Sequence, residues 1–219
     1  MRIGLVTDIH NDAALLSRAL TALEARGVDL FVTLGDTCDV FLADGGIVEV
    51  AAMLQERRAV GVWGNHDFVL CRDVDERYLA RYAGSPVLDF MAGMLPTLVV
   101  GDCHFSHLEP LGDPHDVAHL WSLKDKPFDF MEPATSSFAA VDHRLLFIGH
   151  YHRWWAGTLE GPLDGAGDRP LKLAANQRYF VVVGPVQGGW CGWLDTDAGV
   201  LLPLRIGGIR QQEERSEIA

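Results

Sequence analysis

The sequence predicts an α/β fold. Over the first 63 residues short apolar runs alternate with segments of helical period, and each run stops at a Gly, Asp or Asn cluster. Past an irregular middle, the last third is rich in strand candidates. The first run, Arg2 to Thr7, is a strand broken by Asp8-Ile9-His10-Asn11. Asp12 or Asn11 can cap the next helix, where Leu15, Leu16, Ala19, Leu20 and Leu23 recur at helical spacing until Gly27. Leu30 to Leu34 is a second strand, closed by Gly35-Asp36. A helix from Ile47 to about Arg58 leads to the third strand, Ala59 to Trp63, and then to Gly64-Asn65-His66-Asp67. This β-α-β-α-β order implies parallel strands joined by right-handed crossovers.

The middle is less regular. Asp73 to Tyr82 is expected to be helical, and Leu98 to Val100 and Cys103 to His107 read as consecutive strands meeting at Gly101-Asp102. Residues 108–132 hold three prolines, two histidines and a tryptophan without a sustained period. A segment this long inside a compact domain is more often a functional loop or lid than a linker. A short helix from Ala134 to Ala140 precedes the strand Leu145 to Ile148. Further strands are expected at Trp154–Leu159, Leu171–Ala174, Tyr179–Val183, Trp193–Asp195 and Val200–Leu204, punctuated by Gly, Asp and Pro. From Arg210 the chain is polar and expected to fray. Residues 1–209 are thus read as one domain and 210–219 as a tail.

A chain of 219 residues can bury a sizeable core as one large domain or at most two small ones. Its formal net charge of -12 opposes non-specific binding to nucleic acid or to an anionic membrane. A phosphate-bearing substrate would need that field overcome locally, and bound cations are the obvious means. There is no run of 18 apolar residues, and the amino terminus enters a strand without a signal-peptide pattern, so a cytoplasmic location is the expectation. Cys38, Cys71, Cys103 and Cys191 include no Cys-x-x-Cys pair, which fits reduced thiols better than a disulfide framework or a zinc knot.

Five polar sites each follow a strand candidate: Asp8-Ile9-His10, Gly35-Asp36-Thr37-Cys38-Asp39, Gly64-Asn65-His66-Asp67, His107, and Gly149-His150-Tyr151-His152. Open α/β folds place ligands at the carboxyl ends of their strands. Carboxylates, neutral imidazoles and an amide oxygen suit divalent Mn, Fe or Zn. Seven such ligands, one of them shared, match two ions with open positions. Two ions about 3.5–4 Å apart clamp the attacking and leaving oxygens of an in-line phosphoryl displacement.

The ordered set DxH, GDxxD, GNHD, His, GHxH resembles the calcineurin-like metallophosphoesterase superfamily, over about residues 2 to 155. Within it the chain is similar to the small bacterial and archaeal phosphodiesterases. It differs from the serine/threonine protein phosphatases, which carry Asp-Arg-Gly after the second motif, where this chain has Asp39-Val40-Phe41. The resemblance implies a four-layer sandwich of two facing mixed β-sheets flanked by helices. It implies that Asp8, His10 and His152 bind one metal, that Asn65, His107 and His150 bind a second, and that Asp36 bridges both. Manganese is favoured, with Fe, Zn, Ni or Co as alternatives. A hydroxide between the metals would attack phosphorus. His66 would stabilise the phosphorane oxygens or protonate the leaving oxygen, oriented by Asp67 or, instead, by Asp39.

Two departures stand out. The family's fourth motif is usually His-Gly, whereas His107 is followed by Leu108, so His104 is weighed beside it; His107 is preferred because it ends the strand. The small phosphodiesterases tend to carry Asn-Pro-Gly-Ser near the end, where this chain reads Val183-Gly184-Pro185-Val186-Gln187-Gly188-Gly189-Trp190.

Each motif alone has an ordinary explanation. Asp-x-His at a strand end is commonly a helix cap with a surface imidazole, and Gly-Asp is commonly a turn. His115 and His119 are spaced to share a metal on a helix, but Pro114 makes a solvated loop the better reading. Cys38 reads as a small buried filler. Arg153 follows the last motif, where it could meet a substrate phosphate. Trp121, Trp154, Trp155 and Trp190 could stack on a nucleobase but more commonly pack.

The function expected is metal-dependent hydrolysis of a small phosphate ester, a phosphodiester by resemblance. The expected partners exclude bulk nucleic acid and membranes, and the oligomeric state is left open. One alternative is a phosphomonoesterase or nucleotide hydrolase on the same metals. Another, of a different class, is a catalytically silent binding scaffold of the same fold.

Overall fold

The computed structural model describes residues 1–42, 46–72, 74–121 and 130–207. β1 (Arg2–Val6), α1 (Ala13–Glu24), β2 (Leu30–Thr33), α2 (Ile47–Glu56) and β3 (Val60–Gly61) follow the predicted alternation. Asp12 caps α1, its side chain accepting from Leu15 N–H. The third strand is shorter than expected, because beyond Gly61 the chain keeps only an isolated bridge between Val62 and Leu95.

Three short helices come next: α3 (Phe68–Cys71), α4 (Glu76–Arg81) and α5 (Pro86–Ala92). The helix expected from Asp73 is α4, with Asp75 as its cap; Asp73 itself lies outside the described residues. α5 was not predicted, although Ser85-Pro86 supplies a side-chain cap and a proline in the first turn. β4 (Leu98–Val100) and β5 (Cys103–Phe105) precede α6 (Val117–Leu120), a single turn inside the segment read as a loop or lid. Residues 122–129 of that segment lie outside the described residues. α7 (Met131–Ala140) begins one turn earlier than predicted, with Pro133 in its first turn.

β6 (Leu145–Ile148) keeps its predicted bounds. β7 (Trp155–Thr158), β8 (Gly161–Pro162), β9 (Leu171–Lys172), β10 (Tyr179–Val182), β11 (Trp190–Asp195) and β12 (Val200–Arg205) complete the strands. Of these, β8 was not foreseen and β11 is longer than expected. The tail read from Arg210 lies outside the described residues.

The strands form two six-stranded mixed sheets, ordered β3-β2-β1-β11-β12-β9 and β4-β5-β6-β10-β7-β8. β1, β2 and β3 are parallel in the first sheet, and β5, β6 and β10 are parallel in the second. Strand alternation divides the apolar side chains among three cores. Ile3 and Leu5 of β1 meet Leu145 and Phe147 of β6 and Tyr179 and Val181 of β10 between the sheets. The intervening Leu146, Ile148, Phe180 and Val182 face outward and are covered by Ala134 and Phe138 of α7. On the outer side of the first sheet, Val6 and Phe31 pack with Leu16, Leu20 and Leu23 of α1 and Val50 and Leu54 of α2. Strands buried on both faces read as near-continuous apolar runs, as LLFI and YFVV do. The result is the helix–sheet–sheet–helix sandwich that the sequence implied. Among the described residues no helix is long and apolar enough to cross a membrane.

Candidate active site

The five polar sites meet where the carboxyl ends of the parallel strands of both sheets converge. Asp8 and His10 follow β1, Asp36 and Asp39 follow β2, and Asn65 to Asp67 follow β3. His107 follows β5, and His150 and His152 follow β6. Backbone bonds lace these loops together: Asp8 N–H donates to Gly35 O, Ile9 and His10 N–H to Asp36 O, Gly149 N–H to His107 O, and Gln187 N–H to Asp8 O.

Such close passage needs glycine. A Cβ on Gly35 (φ +95°) would strike the His107 ring, and one on Gly64 would strike the Asp36 carboxylate. Asp8, His10, Asp36, His150 and His152 all have positive φ, between 45° and 67°. Asp and His tolerate the left-handed region better than most residues, yet so many together mark a site held by its surroundings.

Two ligand-like clusters meet at Asp36, the second of them overlapped at His10 by a group of His10, Asp39 and His66 that also lies within ligand distance. In one, His107 Nε2, His150 Nδ1 and Asn65 Oδ1 lie 3.1–3.2 Å from one another, and Asp36 Oδ2 lies 3.4 Å from His107 Nε2. In the other, His152 Nε2 lies 3.3 Å from Asp8 Oδ1 and 3.4 Å from His10 Nε2, and His10 Nε2 lies 3.7 Å from Asp36 Oδ2. Atoms about 2.1 Å from a common ion sit roughly 3.0–3.4 Å apart in octahedral or tetrahedral arrangement. The spacings in the first cluster fit that range, and those in the second are close to it. Asp36 Oδ2 belongs to both.

The remaining bonds of these groups leave their inward atoms available. His107 Nδ1–H donates to Leu34 O at 2.7 Å, which orients the ring so that Nε2 faces the cluster. Asp36 Oδ1 accepts from His66 N–H, and the Asp8 carboxylate accepts from His150 N–H and Thr7 Oγ1. A divalent cation would satisfy the inward-facing atoms, His150 Nδ1 among them; His150 Nε2, the other nitrogen of that ring, is buried without a partner.

Electrostatics within the clusters are strong. Burial opposes charge on Asp36, but His107 and then His10 beside it hold the carboxyl well below its usual range. Burial likewise opposes charge on His107, yet Asp36 wins and lifts the imidazole to about 9. His150 falls to about 4, through burial and then the neighbouring His107. His10 is lowered chiefly by burial, and His152 is raised by its bond to Asp8.

His66 sits on the open side, its side chain 20% exposed, with Nδ1 2.8 Å from Asp39 Oδ2. The expectation that Asp67 orients His66 is corrected here. The Asp67 carboxylate is wholly buried and accepts from the backbone N–H groups of Gly64, Thr37 and Cys38. It ties the second loop to the third; burial and then Asp36 push it up to about 7 despite those three donors. The carboxylate beside His66 is Asp39, the alternative in the sequence reading.

Asn11 was read only as a possible cap. It clamps Asp39 from both sides, its Oδ1 accepting from Asp39 N–H and its Nδ2 donating to Asp39 O. Its place directly after Asp-x-His was the available signal. Phe41, which borders His66 at a ring-centroid distance of 6.0 Å, was not considered either. Arg153 does not join the clusters: its guanidinium lies over the Phe130 ring, 5.8 Å from the centroid. Trp154 packs against Trp190, and Trp155 against Phe130 and Phe180. Cys38 is fully buried, and all four cysteines are free.

A family model, the calcineurin-like phosphoesterase superfamily domain, matches residues 1–163. Among solved structures, a metallophosphoesterase from Sphaerobacter thermophilus is similar at TM-score 0.69 and 21% identity, covering 95% of this chain and 89% of that one. The hypothetical protein PH1004 from Pyrococcus horikoshii OT3 is similar at 0.64 and 12%, with the same coverage of 95% and 89%. A protein described as a novel archaeal phosphodiesterase is similar at 0.52 and 14%, covering 94% of this chain and 99% of that one. At these identities the likeness concerns the fold. No curated protein matches this sequence.

Proposed function

Because the chain belongs to the calcineurin-like phosphoesterase superfamily, we propose that it hydrolyses small phosphate esters on two divalent cations, with phosphodiesters preferred. The observation that carries this reading is Asp36 Oδ2, which faces His107 on one side and His10 on the other. Asp8, His10 and His152 would hold one cation, Asn65, His107 and His150 the other, and Asp36 both. When bound, such ions polarise the phosphoryl oxygens and lower the pKa of a water. Manganese suits the mixed imidazole, carboxylate and amide set, as do Fe, Zn, Ni and Co.

His66 works from the exposed side of this arrangement. With Nδ1 against Asp39, its Nε2 is left to steady charge on the phosphoryl oxygens or to give a proton to the departing oxygen. Asp67 and Asn11 act on backbone: one holds the second loop to the third, the other holds Asp39 where His66 can use it.

The preference for diesters rests on the resemblance to the small phosphodiesterases and on the archaeal phosphodiesterase among the similar structures.

Assay of manganese-loaded protein on bis-p-nitrophenyl phosphate and p-nitrophenyl phosphate tests the reading. Faster hydrolysis of the diester is expected. The reverse ranking makes the protein a phosphomonoesterase, and inactivity on both with two metals bound favours the silent scaffold.

A further inference from the structure

We propose that Phe41 and Trp121 form a recognition corner for a planar aromatic ring of the substrate, so that the ester hydrolysed carries a nucleobase or aryl group on the His66 side of the phosphorus. The inference rests on the reading of this site as a phosphoester hydrolase.

Phe41 follows the second motif and Trp121 closes α6, yet both rings border the same imidazole. The Trp121 ring lies 4.9 Å from His66 at an interplanar angle of 50°, and Phe41 lies 6.0 Å from His66 at 76°. The two aromatics meet each other edge to face at 6.1 Å. These separations fall in the range where rings attract through edge and offset contacts. The three rings therefore form one cluster with His66 at its inner end.

Rings that merely shielded the imidazole would be expected to sink into the protein, as Trp63 does at 3% exposure. Phe41 remains 61% exposed and Trp121 42% exposed. Apolar surface left open beside a polar site is a mark of ligand or partner contact. The charge distribution favours a ligand held this way. The chain is strongly acidic and Arg153 is turned to Phe130, so the organic part of an ester has apolar faces rather than cations to grip. Stacking tolerates any base or aryl ring, because each offers a π-face. Phosphate held at the clusters and a ring held at the corner fix the two ends of one small molecule, with His66 between them.

Calorimetric titration of manganese-loaded, full-length protein with AMP, ribose 5-phosphate, phenyl phosphate and inorganic phosphate tests the corner without relying on turnover. AMP is expected to bind about tenfold more tightly than ribose 5-phosphate. That advantage should vanish in Phe41→Ala/Trp121→Ala and largely survive in Trp121→Phe, while inorganic phosphate binds all forms alike. Phenyl phosphate matching AMP would show that an aryl ring suffices, and phenyl phosphate matching inorganic phosphate would restrict the corner to nucleobases. Equal binding of AMP and ribose 5-phosphate by the parent protein, or an advantage that persists in the double variant, overturns the proposal while leaving the hydrolase reading intact. Failure of inorganic phosphate to bind at all would remove that reading, and the corner with it.

Discussion

His104 and His107 stand three residues apart around the end of β5, and both are nearly inaccessible, at 5% and 2% exposure. His104 points to the outer face of the second sheet, its ring 5.5 Å from that of His143 and both its nitrogens without partners. Burial, and then His143, push its imidazole down to about 4. His107 turns into the cluster below Asp36, where a carboxylate, an amide oxygen and a backbone carbonyl surround it, and its imidazole rises to about 9. Burial thus leaves His104 neutral with nothing to bind, whereas the same burial beside a carboxylate that spans two clusters holds a proton on His107.

Removing the shared carboxylate tests this contrast most severely. Asp36→Asn should release both cations at once, measured by elemental analysis, and lower hydrolysis by at least the factor expected for His66. Retention of one equivalent would end its assignment as a bridge. His66→Ala should lower turnover by about 10²–10⁴ while fold and metal content stay unchanged, as for loss of a proton-transfer group; unaltered turnover would take His66 out of the mechanism.

The two histidines can then be set against each other. His107→Ala should cost one of the two metals, whereas His104→Ala should keep both, and the reverse result would move the fourth motif to His104. The smallest effect concerns stability. Because the folded protein holds His104 below its ordinary value, the unfolded chain binds more protons between about pH 4 and 6.5. Stability from this group is therefore full above that window and is lost as pH falls through it, by on the order of 1–2 kcal/mol at pH 5. Denaturant titrations at pH 7 and pH 5 should show a loss smaller by about that amount in His104→Gln than in the parent, the remainder coming from other buried groups such as His150. Parallel pH slopes would mean that His104 is solvated rather than confined.

The parts of the fold fixed by period were legible in the sequence. LLFI and YFVV announce strands buried on both faces, and Leu16, Leu20 and Leu23 announce the inner face of α1. Less legible were helices of one or two turns, such as α3 and α6, which are too short to show a period. At the site, Asp8, Asp36, Asn65 and the histidines could be recognised because each breaks an apolar run. Which carboxylate reaches His66 could not be read that way. Asp67 is adjacent in sequence but turns back to three amides of its own and the preceding loop, while Asp39 crosses from another loop. Phe41 was hidden for the same reason, and Trp121, although weighed as a stacking ring, could not be tied to His66, since only tertiary packing brings them there.

The crossing of Gly35 and Gly64 between their neighbours bears on how cations would enter. The ligating atoms are aimed by amide and carbonyl groups of adjoining loops, so their convergence does not wait for an ion to gather them. Loading should then resemble filling a rigid mould rather than coupled folding. Capture would be governed by how fast an incoming ion sheds water and displaces the proton that Asp36 keeps on His107.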